Sequence, residues 1–203
     1  RGNRIMLFES KDVFIDAKTK ESANYETYEA AVKKRFYFEQ KEKKIKHRAV
    51  LQQIELIKKI LSGSLEFDKP VSSKIYPIII IHNKQLNVAG LNHLINHWFN
   101  LELNKLKDEG FDIKNVRPIT VVDIASLILY MDYLKFDKIN LPNLIDEYQK
   151  KTSVEAKMKV RNTAELEKVL LERTLSFSHF LRKKMDKPEP PQLFWDLARE
   201  VTS

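Results

Sequence analysis

Four isoleucines in a row, Ile78–Ile81, close the segment 74–81 and constrain the fold more than any other stretch. β-branched side chains favour an extended chain, and successive side chains of a strand point to opposite faces. A run without polar alternation therefore needs cover on both sides. Pro77 cannot donate to a ladder and is expected at the strand's beginning. Residues 82–87 read as a polar turn, 89–107 as an amphipathic helix and 116–122 as a second buried strand. Asp123 is expected to cap a helix over 124–134, and 141–151 reads as a short helix with Pro142 in its first turn. Strand, helix, strand, helix means a parallel α/β layer.

Upstream, Ile5-Met6-Leu7-Phe8 and Val13-Phe14-Ile15 read as a strand pair that joins that layer in one mixed sheet. Tyr25, Tyr28, Val32 and Phe36 recur at helical spacing, which predicts a helix over 22–38. A charged connection over 41–46 leads into a helix over 46–61, with Val50, Leu51, Ile54, Ile57 and Leu61 apolar and Gly63 as its stop. The expected organisation is an α/β core over 1–151 and a helical extension over 152–203. The extension holds one long helix over 163–185, a stiff Pro-rich linker over 187–191 and a last helix over 192–201. Phe194 and Trp195 on that last helix suit docking on a protein partner.

Composition removes several classes of function. The chain has 203 residues and no cysteine, which excludes disulfides, thiolate zinc sites and a cysteine nucleophile. Four glycines and no Gly-x-Gly-x-x-Gly or Walker pattern argue against a phosphate-cradling loop. The longest apolar run is too short to span a bilayer, so a cytoplasmic protein without a membrane partner is expected. The net charge of +8 is concentrated: Lys33, Lys34, Arg35, Lys41, Lys43, Lys44, Lys46 and Arg48 stand against only Glu39 and Glu42 in sixteen residues. Such a cluster fits a phosphate-tracking surface, with DNA favoured over RNA, and equally a solvated linker.

Strand alternation puts Glu9 and Lys11 on one face at the end of the first strand, with Ser10 opposite. A carboxylate is a hard oxygen ligand for Mg²⁺, and a lysine beside it can orient a water or offset phosphoryl charge. The plain alternative is a solvated ion pair worth well under about 1 kcal/mol. Asp16-Ala17-Lys18 has the same spacing after an apolar run and competes with it. His93 and His97 share a helix face as two metal ligands would, but Leu94 replaces the Glu of a zinc-protease helix. Asn92, Asn96 and Trp98 nearby point instead to a polar or partner-facing surface. His82 follows a strand, where α/β proteins often place functional groups.

Glu9-x-Lys11 on a strand, followed by a helix bearing Gln52 and Gln53, resembles the PD-(D/E)XK nuclease superfamily over residues 4–61. The resemblance implies a nuclease-like α/β core that cuts nucleic-acid phosphodiesters with Mg²⁺ or Mn²⁺, in bacterial defence or DNA processing. It implies Glu9 as a metal ligand, Lys11 as the group orienting the attacking water, and Gln52 or Gln53 as support. The superfamily's other acidic ligand has no counterpart before Glu9, and the expectation is that an N-terminal portion not present here carries it. The alternative is a non-catalytic scaffold of the same fold that binds nucleic acid or a protein.

Overall fold

The computed structural model describes residues 3–41, 44–65, 73–135, 140–153, 161–185 and 199. The strands are β1 (Arg4–Lys11), β2 (Phe38–Lys41), β3 (Lys44–His47), β4 (Lys74–Ile81) and β5 (Thr120–Asp123). The helices are α1 (Ala17–Glu21), α2 (Tyr25–Phe36), α3 (Ala49–Leu61), α4 (Leu91–Asp108), α5 (Ile124–Leu129), α6 (Met131–Lys135), α7 (Leu141–Thr152), α8 (Thr163–Arg173) and α9 (Phe177–Lys184). The isoleucine strand is the middle of a parallel three-stranded sheet of order β1-β4-β5. β2 and β3 form a separate antiparallel ribbon.

Both faces of β4 are covered, as the isoleucine run requires. Ile75, Ile79 and Ile81 enter a core with Val32 and Phe36 of α2, Ile54 and Ile57 of α3, and Ile95 and Phe99 of α4. Tyr76 and Ile78 enter a second core with Val122, Ile145 and Tyr148 of α7, and Phe177 and Leu181 of α9. Each fully buried isoleucine contributes about 2 kcal/mol. Pro77 sits inside β4 rather than at its start. The strand tolerates it because pairing to the β5 side stops after the Ile75–Val116 bridge and resumes only at Ile78–Thr120. The peptide of residue 77 faces that gap, so the missing N–H costs no ladder bond.

The two edges of the sheet differ. On β5, Asn96 Oδ1 accepts the Ile119 N–H at 3.2 Å and Asn92 Oδ1 accepts the Val121 N–H at 2.7 Å. Gln149 Nε2 donates to Pro118 O at 2.6 Å, so α4 and α7 seal this edge with side chains. On β1, Leu7 faces the first core while Met6 and Phe8 of the opposite face are exposed.

Several expected elements are divided or replaced. Residues 13–15 form no strand; Asp16 Oδ1 accepts the Thr19 N–H at 2.8 Å and caps α1. The helix expected over 22–38 begins only at Tyr25, where Asn24 caps it by accepting the Thr27 N–H. Of the segment expected as a connection over 41–46, Lys41 belongs to β2 and residues 44–46 to β3. The helix expected over 124–134 is interrupted at Tyr130, although Asp123 caps its start. The long helix expected over 163–185 breaks between α8 and α9, where Ser176 Oγ accepts the His179 N–H and starts a new helix. The Pro-rich linker, the last helix with Phe194 and Trp195, and Lys43 lie outside the described residues. No helix among the described residues is long and apolar enough to cross a membrane.

Candidate functional site

The register of β1 on β4 places Glu9 beside Ile79 and Lys11 beside Ile81, at the carboxyl end of two parallel strands. Both side chains stand on the face that packs on α3. Lys11 Nζ lies 2.6 Å from Glu9 Oε1 and donates to Gln52 Oε1 at 2.9 Å. The lysine side chain is 15% exposed and the glutamate 27%, so the pair is partly shielded yet open to solvent. Gln52 comes from the first turn of α3, where its N–H donates to Arg48 O at 2.9 Å.

Gln53, its neighbour, does something else. It is 2% exposed, and its Nε2 donates to Leu7 O at 3.2 Å and reaches Ile78 O at 3.5 Å, tying α3 to the sheet. Its Oε1 is buried without a hydrogen-bond partner. Of the two glutamines, only Gln52 touches Lys11. The one-residue offset on a helix turns their side chains about 100° apart, which sends one to the strand end and the other into the core.

The opposite face of the same strand end holds a contact that sequence reasoning did not pair. Ser10 Oγ lies 2.7 Å from His82 Nε2, both side chains exposed. Alternation placed Ser10 away from Glu9; parallel pairing sets it level with Ile80, and His82, two residues on, reaches it just past the end of β4. Asp123 is spent on capping α5 and accepts the Ala125 N–H at 3.4 Å. His93 Nε2 lies 2.6 Å from Arg173 O, while Asn92 and Asn96 turn inward to β5 and Trp98 is buried. The surface expected around His93 and His97 is therefore largely engaged with the protein itself.

The basic run divides by role. Arg48 pairs with Glu39, and Lys34 Nζ lies 3.7 Å from the same carboxylate. Burial pushes the Glu39 carboxyl up, but the Arg48 hydrogen bond and the charges of Lys41, Arg48 and Lys34 outweigh it and hold the group below the usual carboxylate range. Lys33 Nζ lies 5.2 Å from the Phe38 ring centre, within cation–π range. Arg35 Nε donates to Phe14 O at 3.2 Å. Lys41, Lys44 and Lys46 are exposed on the ribbon and make no ion pair among the described residues.

For a divalent cation the site offers the hard oxygens of Glu9. No group of three or more His, Asp or Glu side chains converges among the described residues. That donor set suits a cation completing its shell with water and phosphate oxygens, as Mg²⁺ does, and not a closed protein cage. Comparison with protein-family models, curated proteins and solved structures finds no match to this chain.

Proposed function

We propose that the chain is a nuclease-like domain acting on nucleic-acid phosphodiesters, DNA before RNA, with Lys11 as the group that works at the reacting oxygen. One observation carries the reading: the Lys11 ammonium is held between Glu9 and Gln52 at the end of a parallel strand. An ammonium has three N–H donors. Two are taken among the described residues, and the third is left for a water or a phosphoryl oxygen. Gln52 positions the ammonium, restricting a four-carbon stem that would otherwise sample many rotamers. Glu9 would be one ligand of Mg²⁺ or Mn²⁺, the remainder being water and substrate oxygens. The bound ion supplies a water of lowered pKa and offsets phosphoryl charge. A cytoplasmic location goes with this reading.

A second reading is a non-catalytic scaffold that binds nucleic acid or a protein. It draws on Glu9 being the single carboxylate paired with Lys11 among the described residues and on the exposed leucines of α8, among them Leu171 at 67%. The deciding experiment incubates the protein with plasmid, linear duplex, single-stranded DNA and RNA, in Mg²⁺ or Mn²⁺, with and without EDTA. The nuclease reading expects cleavage that EDTA stops and that Lys11→Ala lowers by about two to three orders of magnitude, with nucleic-acid binding retained. Binding without cleavage in every metal and substrate selects the scaffold.

A further inference from the structure

We infer that the β2–β3 ribbon, rather than the whole basic run, is the nucleic-acid contact, and that Lys41, Lys44 and Lys46 bind the phosphate backbone of a duplex. The inference rests on the nucleic-acid reading above and narrows it to three side chains and one form of ligand. Register decides which cations are available. Opposite residues on an antiparallel ribbon share a face, so the pairs Glu39–Lys46 and Lys41–Lys44 put the three lysines on one side together with Glu39. Glu39 is held by Arg48 and Lys34 with the Lys41 charge nearby, while the side chains of Lys41, Lys44 and Lys46 are exposed on that face. Lys33, Lys34, Arg35 and Arg48 are occupied in holding α2, the ribbon and residue 14 together.

Lys41 opposite Lys44 is a like-charge cross-strand pair, which destabilises a free ribbon. A polyanion removes that penalty, and a duplex carries one phosphate charge per ~1.7 Å of axis. Single strands and RNA loops are gripped by stacking bases on aromatic rings. The lysine face offers none, since Phe38 lies on the other face beneath Lys33 and Tyr37. The ribbon is also followed directly in the chain by the helix of the candidate site. His47 ends β3, and Arg48 O accepts the N–H of Gln52, whose side chain holds Lys11. Along the chain, the ribbon is thus joined through Arg48 to the helix that holds the Lys11 ammonium.

The test measures binding of labelled duplex DNA, duplex RNA and single-stranded DNA by fluorescence anisotropy across a salt series, with melting temperatures beside it. The proteins are the wild type, a triple variant Lys41→Gln, Lys44→Gln, Lys46→Gln, and a control Lys33→Gln, Arg35→Gln. The triple variant is expected to lower the log–log salt slope by about 3 and affinity near 0.1 M salt by about two orders of magnitude. The control keeps the wild-type slope. Lys44→Gln alone is expected to weaken duplex binding while leaving the melting temperature unchanged or higher, a combination a structural role would not produce. Comparing the DNA and RNA duplexes tells which backbone the ribbon takes. A triple variant that binds as the wild type does, equal losses in triple variant and control, or tighter binding of single-stranded DNA each overturn the inference. Cleavage by a protein whose ribbon is inert sinks the ribbon alone; ribbon-dependent binding without cleavage sinks only the catalytic reading; a wild type that binds no duplex sinks both.

Discussion

Adjacent glutamines on α3 make different predictions because one is solvent-facing and the other is in the core. Gln52→Leu removes the acceptor from Lys11 and is expected to lower cleavage by less than Lys11→Ala while leaving the melting temperature within about 2 °C. Gln53→Glu puts a charge at a site 2% exposed and is expected to destabilise by about 3 kcal/mol or more. Gln53→Leu, which also removes an oxygen with no partner, is expected to cost about 1 kcal/mol or less. Denaturant melts of the three variants check the order. Glu39 adds a pH effect with a definite sign. Its folded pKa lies below the ordinary value, so its stabilising contribution is present above the unfolded carboxylate pKa, about 4.3. That contribution is lost as pH falls through the lower folded value. The gap in melting temperature between wild type and Glu39→Gln is therefore expected to be full at pH 7 and to shrink below about pH 4; a gap independent of pH would show that the Arg48 pair contributes nothing.

At the level of elements, the β5 edge and the α8–α9 break rest on single side chains. Asn92 takes the Val121 N–H and Asn96 the Ile119 N–H. Asn92→Leu leaves a strand N–H without its acceptor and is expected to cost about 1–3 kcal/mol, whereas His97→Ala, an exposed change on the same helix, should stay within about 0.5 kcal/mol. Ser176→Ala removes the cap of α9 and is expected to cost about 1 kcal/mol. Equal melting curves for Asn92→Leu and His97→Ala would mean that the edge is satisfied by water instead. The same break explains why α9 buries Phe177, Phe180 and Leu181 while α8 buries nothing. Two short helices can turn their apolar sides independently, as one rigid helix over 163–185 could not.

Over the whole molecule, β4 contributes to two cores among the described residues, Ile75, Ile79 and Ile81 to one and Tyr76 and Ile78 to the other. Ile79→Ala and Ile78→Ala open cavities on opposite faces, and each is expected to cost about 2–5 kcal/mol. A single cooperative transition in both variants is the expected result, because the strand that carries one core carries the other. Separate transitions in calorimetry would mean that the two layers fold independently. The second core includes α9, so residues beyond 152 contribute to the same interior as the sheet.

The sequence by itself determined what depends on short-range periodicity. Ile78–Ile81 demanded a strand covered on both faces, the α4 and α7 periods demanded helices, and strand alternation put Glu9 and Lys11 on one side of β1. The α/β class follows from those patterns. Tertiary structure decided which partners those side chains meet. Helix geometry sets Gln52 and Gln53 about 100° apart, but only the docking of α3 makes one of those directions meet Lys11 and the other Leu7 O. The lysine run between residues 33 and 48 reads as one cluster, but antiparallel pairing and the Glu39 carboxylate divide it into cations that hold the fold and cations left outward. Asn92 and Asn96 read as a polar outward face until the sheet edge comes to lie beside them and donates the Val121 and Ile119 N–H groups to their Oδ1 atoms. Periodicity records which face a residue is on, over a few ångströms of chain; hydrogen bonds between residues tens of positions apart depend on how the elements pack, which no local pattern carries.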